Sequence, residues 1–171
     1  MLTIADRLEI QDLVASLAWS LDTAEVEAFV DCFASDGELV WDAFESPLRW
    51  SGSNALRQFI EGLRDLPDSA GRQHVVTNLR IRGHEHGAVA TAYVLVTLRQ
   101  PDGGVRTIVA GHYEDLLCVE SASWRFRRHV IRDWAGPVLA GFAGQTGERV
   151  ARPLPQPLEA LARTVTPHPK R

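Results

Sequence analysis

The sequence predicts an α+β fold in which helices pack on one face of a strongly curved antiparallel sheet. Two observations lead to this prediction. Apolar residues recur at helical spacing in three segments before residue 67, and from residue 73 onward the chain reads as four long strands separated by short turns. Strands joined by short connections pair antiparallel, which leaves the earlier helices to cover one face. At 171 residues, the chain is long enough to form one domain with its own hydrophobic core.

The three predicted helices span residues 3–21, 22–34 and 54–66. In each segment apolar side chains recur every three or four residues, as in a helix with one buried face. Thr3 and Asp6 have the spacing of a capping box at the start of the first helix. These helices are expected to supply the layer that covers the sheet.

Asp22 lies at the junction of the first two helices and has two interpretations. With Glu25 three residues later, it fits a capping box at the start of the second helix. A carboxylate held at a helix junction is also well placed to orient a neighbouring catalytic side chain. The two roles can coexist, and the local sequence leaves both open.

A short strand is predicted at residues 38–44, after a turn at 35–37 and before a loop at 47–52. Trp41 on this strand is expected to form a wall of the interior. An indole buries a large apolar area and still offers one N–H donor.

The four long strands are predicted at residues 73–83, 87–100, 105–120 and 123–134. The connections between them contain the glycine, proline, aspartate and serine residues that are typical of tight turns. These strands are therefore expected to be neighbours in one antiparallel sheet.

The first long strand opens with a histidine ahead of an apolar, β-branched run. By the two-residue period of a strand, His74, Val76 and Asn78 share one face. If that face borders a pocket, His74 is a candidate base. The alternative is a buried histidine that only hydrogen-bonds to its neighbours, and this stretch on its own favours the alternative.

Two further histidines lie in the later strands. His112 and Tyr113 are adjacent, so the pleat places them on opposite faces of the sheet. In the last strand Phe126 marks a side typical of core, and strict alternation places His129 and Asp133 on the other side. That side is either solvated or borders a polar cavity, and the pattern alone favours solvent.

Composition and charge argue against several classes of function. The net charge of -4 and the pI of about 5.8 give no broad electrostatic reason to bind nucleic acid or an anionic membrane. We find no signal-peptide pattern and no apolar run of bilayer length, so a cytoplasmic location is expected. Cys32 and Cys118 are expected to be buried free thiols. His84 and His86 lie in a predicted hairpin tip without converging carboxylates, so no metal site is expected.

Residues 135–171 differ in character from the rest of the chain. Glycine and proline are frequent up to residue 157, which predicts an irregular extension rather than a second domain, with a short helix at residues 158–163. Such an extension often folds over a neighbouring subunit or over the mouth of a cavity.

The order of these segments resembles the SnoaL-like, polyketide cyclase-like branch of the nuclear transport factor 2-like superfamily over residues 4–134. Members of this branch include scytalone dehydratase and hexachlorocyclohexane dehydrochlorinase. Four pieces of sequence carry the resemblance: Leu8-Glu9-Ile10-Gln11-Asp12-Leu13, Leu21-Asp22 with Phe33-Ala34-Ser35-Asp36-Gly37, Gln73-His74-Val75-Val76-Thr77-Asn78, and Gly111-His112-Tyr113 with Trp124-Arg125-Phe126.

The resemblance implies a cone-shaped half-barrel whose sheet wraps a deep, mostly apolar pocket closed at one end by helices. It also implies lyase chemistry without a cofactor and assembly as a trimer or dimer. In this family the roles of base and orienting carboxylate fall on His74 and Asp22. A carboxylate on one imidazole nitrogen fixes the tautomer and lets the other nitrogen accept a proton from carbon. The substrate-pocket positions implied by the same alignment are Trp41, Tyr113, His129, Leu17 and Asn78.

The sequence thus favours a cofactor-independent lyase of the dehydratase type that acts on a hydrophobic cyclic or polyketide-like molecule. An isomerase or cyclase could use the same pair of residues. A different hypothesis is a ligand-binding or assembly module, such as the small subunit of a ring-hydroxylating oxygenase, which resembles this fold and length. Leu17 and His129 stand where the dehydrochlorinase has a lysine and an arginine, so its substrate is not carried over. We expect a homo-oligomer, with residues 137–143 suited to a subunit contact.

Overall fold

The computed structural model describes residues 1–66, 71–133, 153–154 and 156–165, and it confirms the α+β fold. Its helices are α1 (Ile4–Thr23), α2 (Val26–Asp31), α3 (Ser53–Arg64) and α4 (Glu159–Ala162), with a 3₁₀ turn at Gln156–Leu158. Its strands are β1 (Phe33–Trp41), β2 (Leu48–Ser51), β3 (Arg72–His84), β4 (Gly87–Arg99), β5 (Val105–Glu120) and β6 (Ser123–Asp133). The four long strands lie within one residue of their predicted bounds at every end.

The six strands form one open sheet in the order β2-β1-β6-β5-β4-β3. Neighbouring strands pair antiparallel, as predicted, except that β1 and β6 run parallel. Register shifts interrupt four of the five pairings. Because each bulge adds a residue to one strand and bends it, these shifts curve the sheet. Its interior face borders the helices and a cavity.

Several local predictions in the region before α3 are wrong. The second helix ends at Asp31 instead of residue 34, and the strand predicted at residues 38–44 spans Phe33–Trp41. Residues 35–37 do not form a turn, because they belong to β1 and take up its register shift between Phe33 and Glu38. The predicted loop at residues 47–52 contains β2. In β2, the buried Leu48 and Trp50 alternate with more exposed residues, and the strand pairs with β1. Four residues are too few for this alternation to be recognised from the sequence.

The start of α1 has the capping box predicted from the sequence. The Thr3 hydroxyl accepts the main-chain N–H of Asp6 at 3.1 Å, and the Asp6 carboxylate accepts the main-chain N–H of Thr3 at 2.7 Å. Asp6 also accepts the indole N–H of Trp124 at 3.1 Å. The hydrogen bonds from Thr3, followed by the one from Trp124, lower the pKa of Asp6. The cap therefore also fixes α1 to the last strand.

A cluster of aromatic side chains joins the helices to the sheet. Phe29 of α2 contacts Phe33 and Phe59, with ring centroids 5.2 and 5.6 Å apart. Trp50 contacts Phe59 from β2 at 4.7 Å. Burial of each large apolar side chain contributes about 1.5–3 kcal/mol, so this cluster is a main source of stability. The two cysteines are free and buried, as expected.

The described part of the C-terminal segment packs against α3. Leu161 of α4 is buried, and a Cβ at Gly62 would lie 2.9 Å from its side chain. The indole N–H of Trp50 donates to the Thr164 hydroxyl at 2.8 Å. This helix confirms the one predicted at residues 158–163. The suggested subunit contact at residues 137–143 lies outside the described residues.

Gly111 marks a close approach between β5 and β6. A Cβ at this position would lie 2.1 Å from the main-chain oxygen of Arg132, which cannot move without disturbing the sheet. We expect Gly111→Ala to lower the free energy of unfolding by about 1–3 kcal/mol, measured by urea denaturation. Gly83→Ala is the control, because the nearest atom there is a leucine side-chain carbon at 4.0 Å. Equal stabilities of the two variants would contradict the expectation.

No helix in the described ranges is long and apolar enough to cross a membrane.

Candidate functional site

A cavity of about 210 Å³ lies between the helices and the interior face of the sheet. Most of its wall is apolar and comes from α1, α3, the last three strands and the 3₁₀ turn, including Leu21, Phe59, Leu63, Val94, Val96 and Leu158. Arg72, His74 and Asp133 supply charged or ionisable groups, and Trp41 and Tyr113 add one N–H and one O–H donor. A few polar groups in an apolar cavity are typical of a small-molecule site.

His74 and Asp22 are in direct contact at this cavity. The Nδ1 atom of His74 lies 2.6 Å from Oδ1 of Asp22, and the two side chains are only 9% and 21% exposed. The main-chain N–H of His74 also donates to Asp22, at 2.9 Å to Oδ2 and 3.1 Å to Oδ1. The carboxylate is thus held by the strand backbone as well as by the ring. With Nδ1 engaged, Nε2 is the nitrogen left to face a ligand.

The fold explains why Asp22 reaches β3. This strand is at the edge of the sheet, so the outward main-chain N–H of His74 has no strand to bond to, and the end of α1 covers that edge. The capping interpretation of Asp22 is wrong: α1 continues to Thr23, and Glu25 is the N-cap of α2, without a side-chain hydrogen bond. The Asp22 side chain is therefore committed to His74.

Tyr113 and Trp41 approach the cavity from other strands. Tyr113 is 3% exposed, and among the described residues its hydroxyl has no hydrogen-bond partner. Burial, followed by the negative charges of nearby carboxylates, raises its pKa, so the phenol keeps its proton. The Trp41 indole donates to Asp133 at 3.2 Å. Asp133 itself lines the cavity, so the expectation that its side of β6 faces solvent is wrong.

His129 lies behind Tyr113 and does not line the cavity. The two rings are 4.4 Å apart, and the Nδ1 atom of His129 lies 2.7 Å from Asp115. This second His–Asp pair is fully buried, with side-chain exposures of 0% and 1%. Burial raises the pKa of Asp115, and the nearby His129 opposes that shift. The prediction that His129 faces away from Phe126 is wrong, because the register shift at Leu116 and Leu117 lets both point inward.

Two other pocket positions implied by the alignment lie elsewhere. Asn78 has a φ of 55° and sits where the pairing of β3 with β4 shifts, so it does not share the face of His74. It borders a groove on the outer face of the sheet, together with His112 and Arg80. Leu17 is 2% exposed and packs in the core.

Arg72 is a cavity residue that the sequence interpretation missed. It lies two residues before His74 on β3, so the strand period places both side chains on the same face. The two-residue period of the strand could have identified Arg72, because it places this residue on the face of His74.

A family model for the SnoaL-like domain matches residues 2–130. Three solved structures from Novosphingobium aromaticivorans are similar. An NTF2-like protein with a cystatin-like fold is 22% identical, with a TM-score of 0.69 over 79% of this chain and 86% of its own. A protein provisionally assigned as the beta subunit of an aromatic-ring-hydroxylating dioxygenase is 20% identical, with a TM-score of 0.65 over 80% and 95%. A protein provisionally assigned as scytalone dehydratase is 20% identical, with a TM-score of 0.64 over 88% and 94%.

At these identities the solved structures show the fold, and no curated protein matches the sequence. The family match covers most of the chain and includes both Asp22 and His74. The chain therefore belongs to the SnoaL-like domain family, whose fold supports a small-molecule-binding domain.

Proposed function

We propose that this protein is a cofactor-independent lyase that removes water from a hydrophobic cyclic molecule, with His74 as the base and Asp22 as its orienting partner. The observation that carries the proposal is the 2.6 Å contact between His74 Nδ1 and Asp22 at the edge of an apolar cavity. The same arrangement would serve an isomerase or cyclase, since each begins with removal of a proton from carbon.

The first step is proton transfer from carbon to Nε2 of His74. Asp22 accepts the hydrogen on Nδ1, which leaves the lone pair on Nε2 and stabilises the imidazolium that forms. The electron pair of the C–H bond moves into the adjacent carbonyl as an enolate. The apolar wall excludes water, so hydrogen bonds from nearby donors stabilise the negative charge of the enolate more strongly than they would in water.

The second step expels the hydroxyl group from the next carbon. The enolate electrons form the new C=C bond while the C–O bond breaks, and the proton on Nε2 passes to the departing oxygen to give water. Base and acid are thus the same nitrogen in turn. No proton is gained or lost by the protein over the cycle.

The test is turnover of β-hydroxy cyclic ketones such as 3-hydroxy-1-tetralone, whose dehydration gives an enone that tautomerises to 1-naphthol, which is followed by absorbance. We expect catalysed dehydration by the purified protein. A binding or assembly role, as for an oxygenase subunit of this fold, predicts instead that ketones bind without turnover and that a partner chain co-purifies. That result would overturn the lyase proposal.

Tyr113 is proposed to donate its hydroxyl to the substrate carbonyl or to the leaving oxygen. Its O–H is unengaged among the described residues, and its raised pKa keeps it a donor. We expect Tyr113→Phe to lower kcat by roughly 100-fold, the typical cost of removing one such donor, while stability changes little. Tyr93→Phe, on the outer face of β4, is the control. Unchanged kcat in Tyr113→Phe would remove this residue from the mechanism.

A further inference from the structure

Arg72 places a positive charge in the wall of the cavity without an ion-pair partner among the described residues. Other half-buried arginines have polar partners: Arg49 contacts Glu38, Arg132 contacts Asp42 and Glu114, and Arg125 donates to the main-chain oxygen of Trp124. A cation in apolar surroundings is costly unless an anion or hydrogen-bond acceptors compensate it. Within the described ranges nothing pairs with the charge of Arg72, and a bound anion would compensate it.

Two described carboxylates near the cavity, Asp22 and Asp133, already accept hydrogen bonds. Asp22 uses both oxygens to accept hydrogens from the main chain and ring of His74. Asp133 is on β6, which is separated from β3 by β4 and β5, and it accepts the indole N–H of Trp41. Burial lowers the pKa of Arg72 and the charge of Asp22 opposes this shift, yet a guanidinium stays protonated in proteins. The β3 wall thus offers a permanent cation.

We propose that Arg72 binds a carboxylate on the substrate, so that the cavity takes an apolar ring acid. This inference rests on the proposed function only in taking the cavity beside His74 as the substrate site. A guanidinium binds a carboxylate through two parallel N–H···O bonds, which fixes orientation as well as charge. Residues two apart on a strand are separated by roughly 6.6 Å. Both side chains line the same cavity, so one small ring acid can contact Arg72 and His74 together.

The test compares two probes of nearly the same shape, 2-naphthoate and the neutral 2-naphthamide. Their Kd values are measured by isothermal titration calorimetry at neutral pH. We expect the unmodified protein to bind the naphthoate about ten- to a hundredfold more tightly, the value of a charge-assisted hydrogen-bonded pair. Arg72→Met should abolish this preference, and Arg72→Lys should retain part of it. Arg80→Met is the control, since Arg80 lies on the outer face of the same strand.

Equal affinities for the two probes, no measurable binding of the naphthoate, or a preference that persists in Arg72→Met would each overturn the inference. If Arg72→Met unfolds, Arg72→Lys decides, because it keeps the charge and removes the planar fork. The two proposals fail separately. Ketone turnover without a naphthoate preference leaves the lyase proposal standing alone, and an Arg72-dependent preference without turnover leaves the anion site standing alone.

Discussion

Replacing His74 by glutamine is expected to lower kcat for ketone dehydration by about 10²–10⁴-fold, the usual contribution of a positioned base. Glutamine preserves the main-chain N–H that donates to Asp22, so the edge of β3 stays covered and the fold should persist. It cannot take a proton from carbon. Kinetics with 3-hydroxy-1-tetralone, together with a thermal melt, measure the two effects separately.

Asp22→Asn should reduce kcat by a comparable factor, because the amide does not reproduce the carboxylate's contacts to the ring and backbone of His74. His84→Gln, at an exposed hairpin tip, is the control for His74→Gln, and Asp36→Asn, at an exposed carboxylate, is the control for Asp22→Asn. The double variant H74Q/D22N should be little slower than H74Q, since the two residues act as a unit. Additive losses would contradict a working dyad.

Replacing Asp115 by alanine is expected to lower the free energy of unfolding by about 3–5 kcal/mol, because it breaks a buried hydrogen-bonded pair from one side. Asp115 and His129 are almost completely buried and 2.7 Å apart. The substitution therefore leaves the buried Nδ1 atom of His129 without a hydrogen-bond partner, which is costly. Chemical denaturation followed by tryptophan fluorescence gives the value.

Two further variants show whether the loss of stability in Asp115→Ala comes from the buried pair or from the removal of any carboxylate. Asp36→Ala removes an exposed carboxylate that lies 3.6 Å from Arg127 and should cost at most about 1 kcal/mol. The double variant D115V/H129L fills the site with apolar groups and should recover most of the stability lost in Asp115→Ala. A double variant as unstable as the single one would contradict the explanation by a broken buried hydrogen bond and indicate a packing defect.

Sequence periodicity predicted the long strands well, because residues typical of turns stand at their ends. It failed where strands bulge: the added residues near Asn78 and Arg127 turn the following side chains to the other face, and local sequence does not mark these points. β2 was missed because four residues between a proline and a glycine read as loop.

The candidate site was predicted in part. Asp22 and His74 are 52 residues apart, so their contact followed from the resemblance to a family and not from spacing. The pairing of Asp115 with His129 depends on the register between β5 and β6, which the sequence does not encode locally. Arg72 was missed for another reason. An arginine at the start of a strand is usually solvated, and only the closing helices make its face a cavity wall.

The most direct test of the central claim, that His74 removes a proton from carbon in this cavity, is hydrogen–deuterium exchange at the carbon beside the carbonyl of 1-tetralone. The exchange is followed by proton NMR in heavy water and needs no leaving group. We predict that the unmodified protein accelerates the exchange and that His74→Gln does not. Exchange at the buffer rate, or equal acceleration by His74→Gln, would contradict the assignment of His74 as the base.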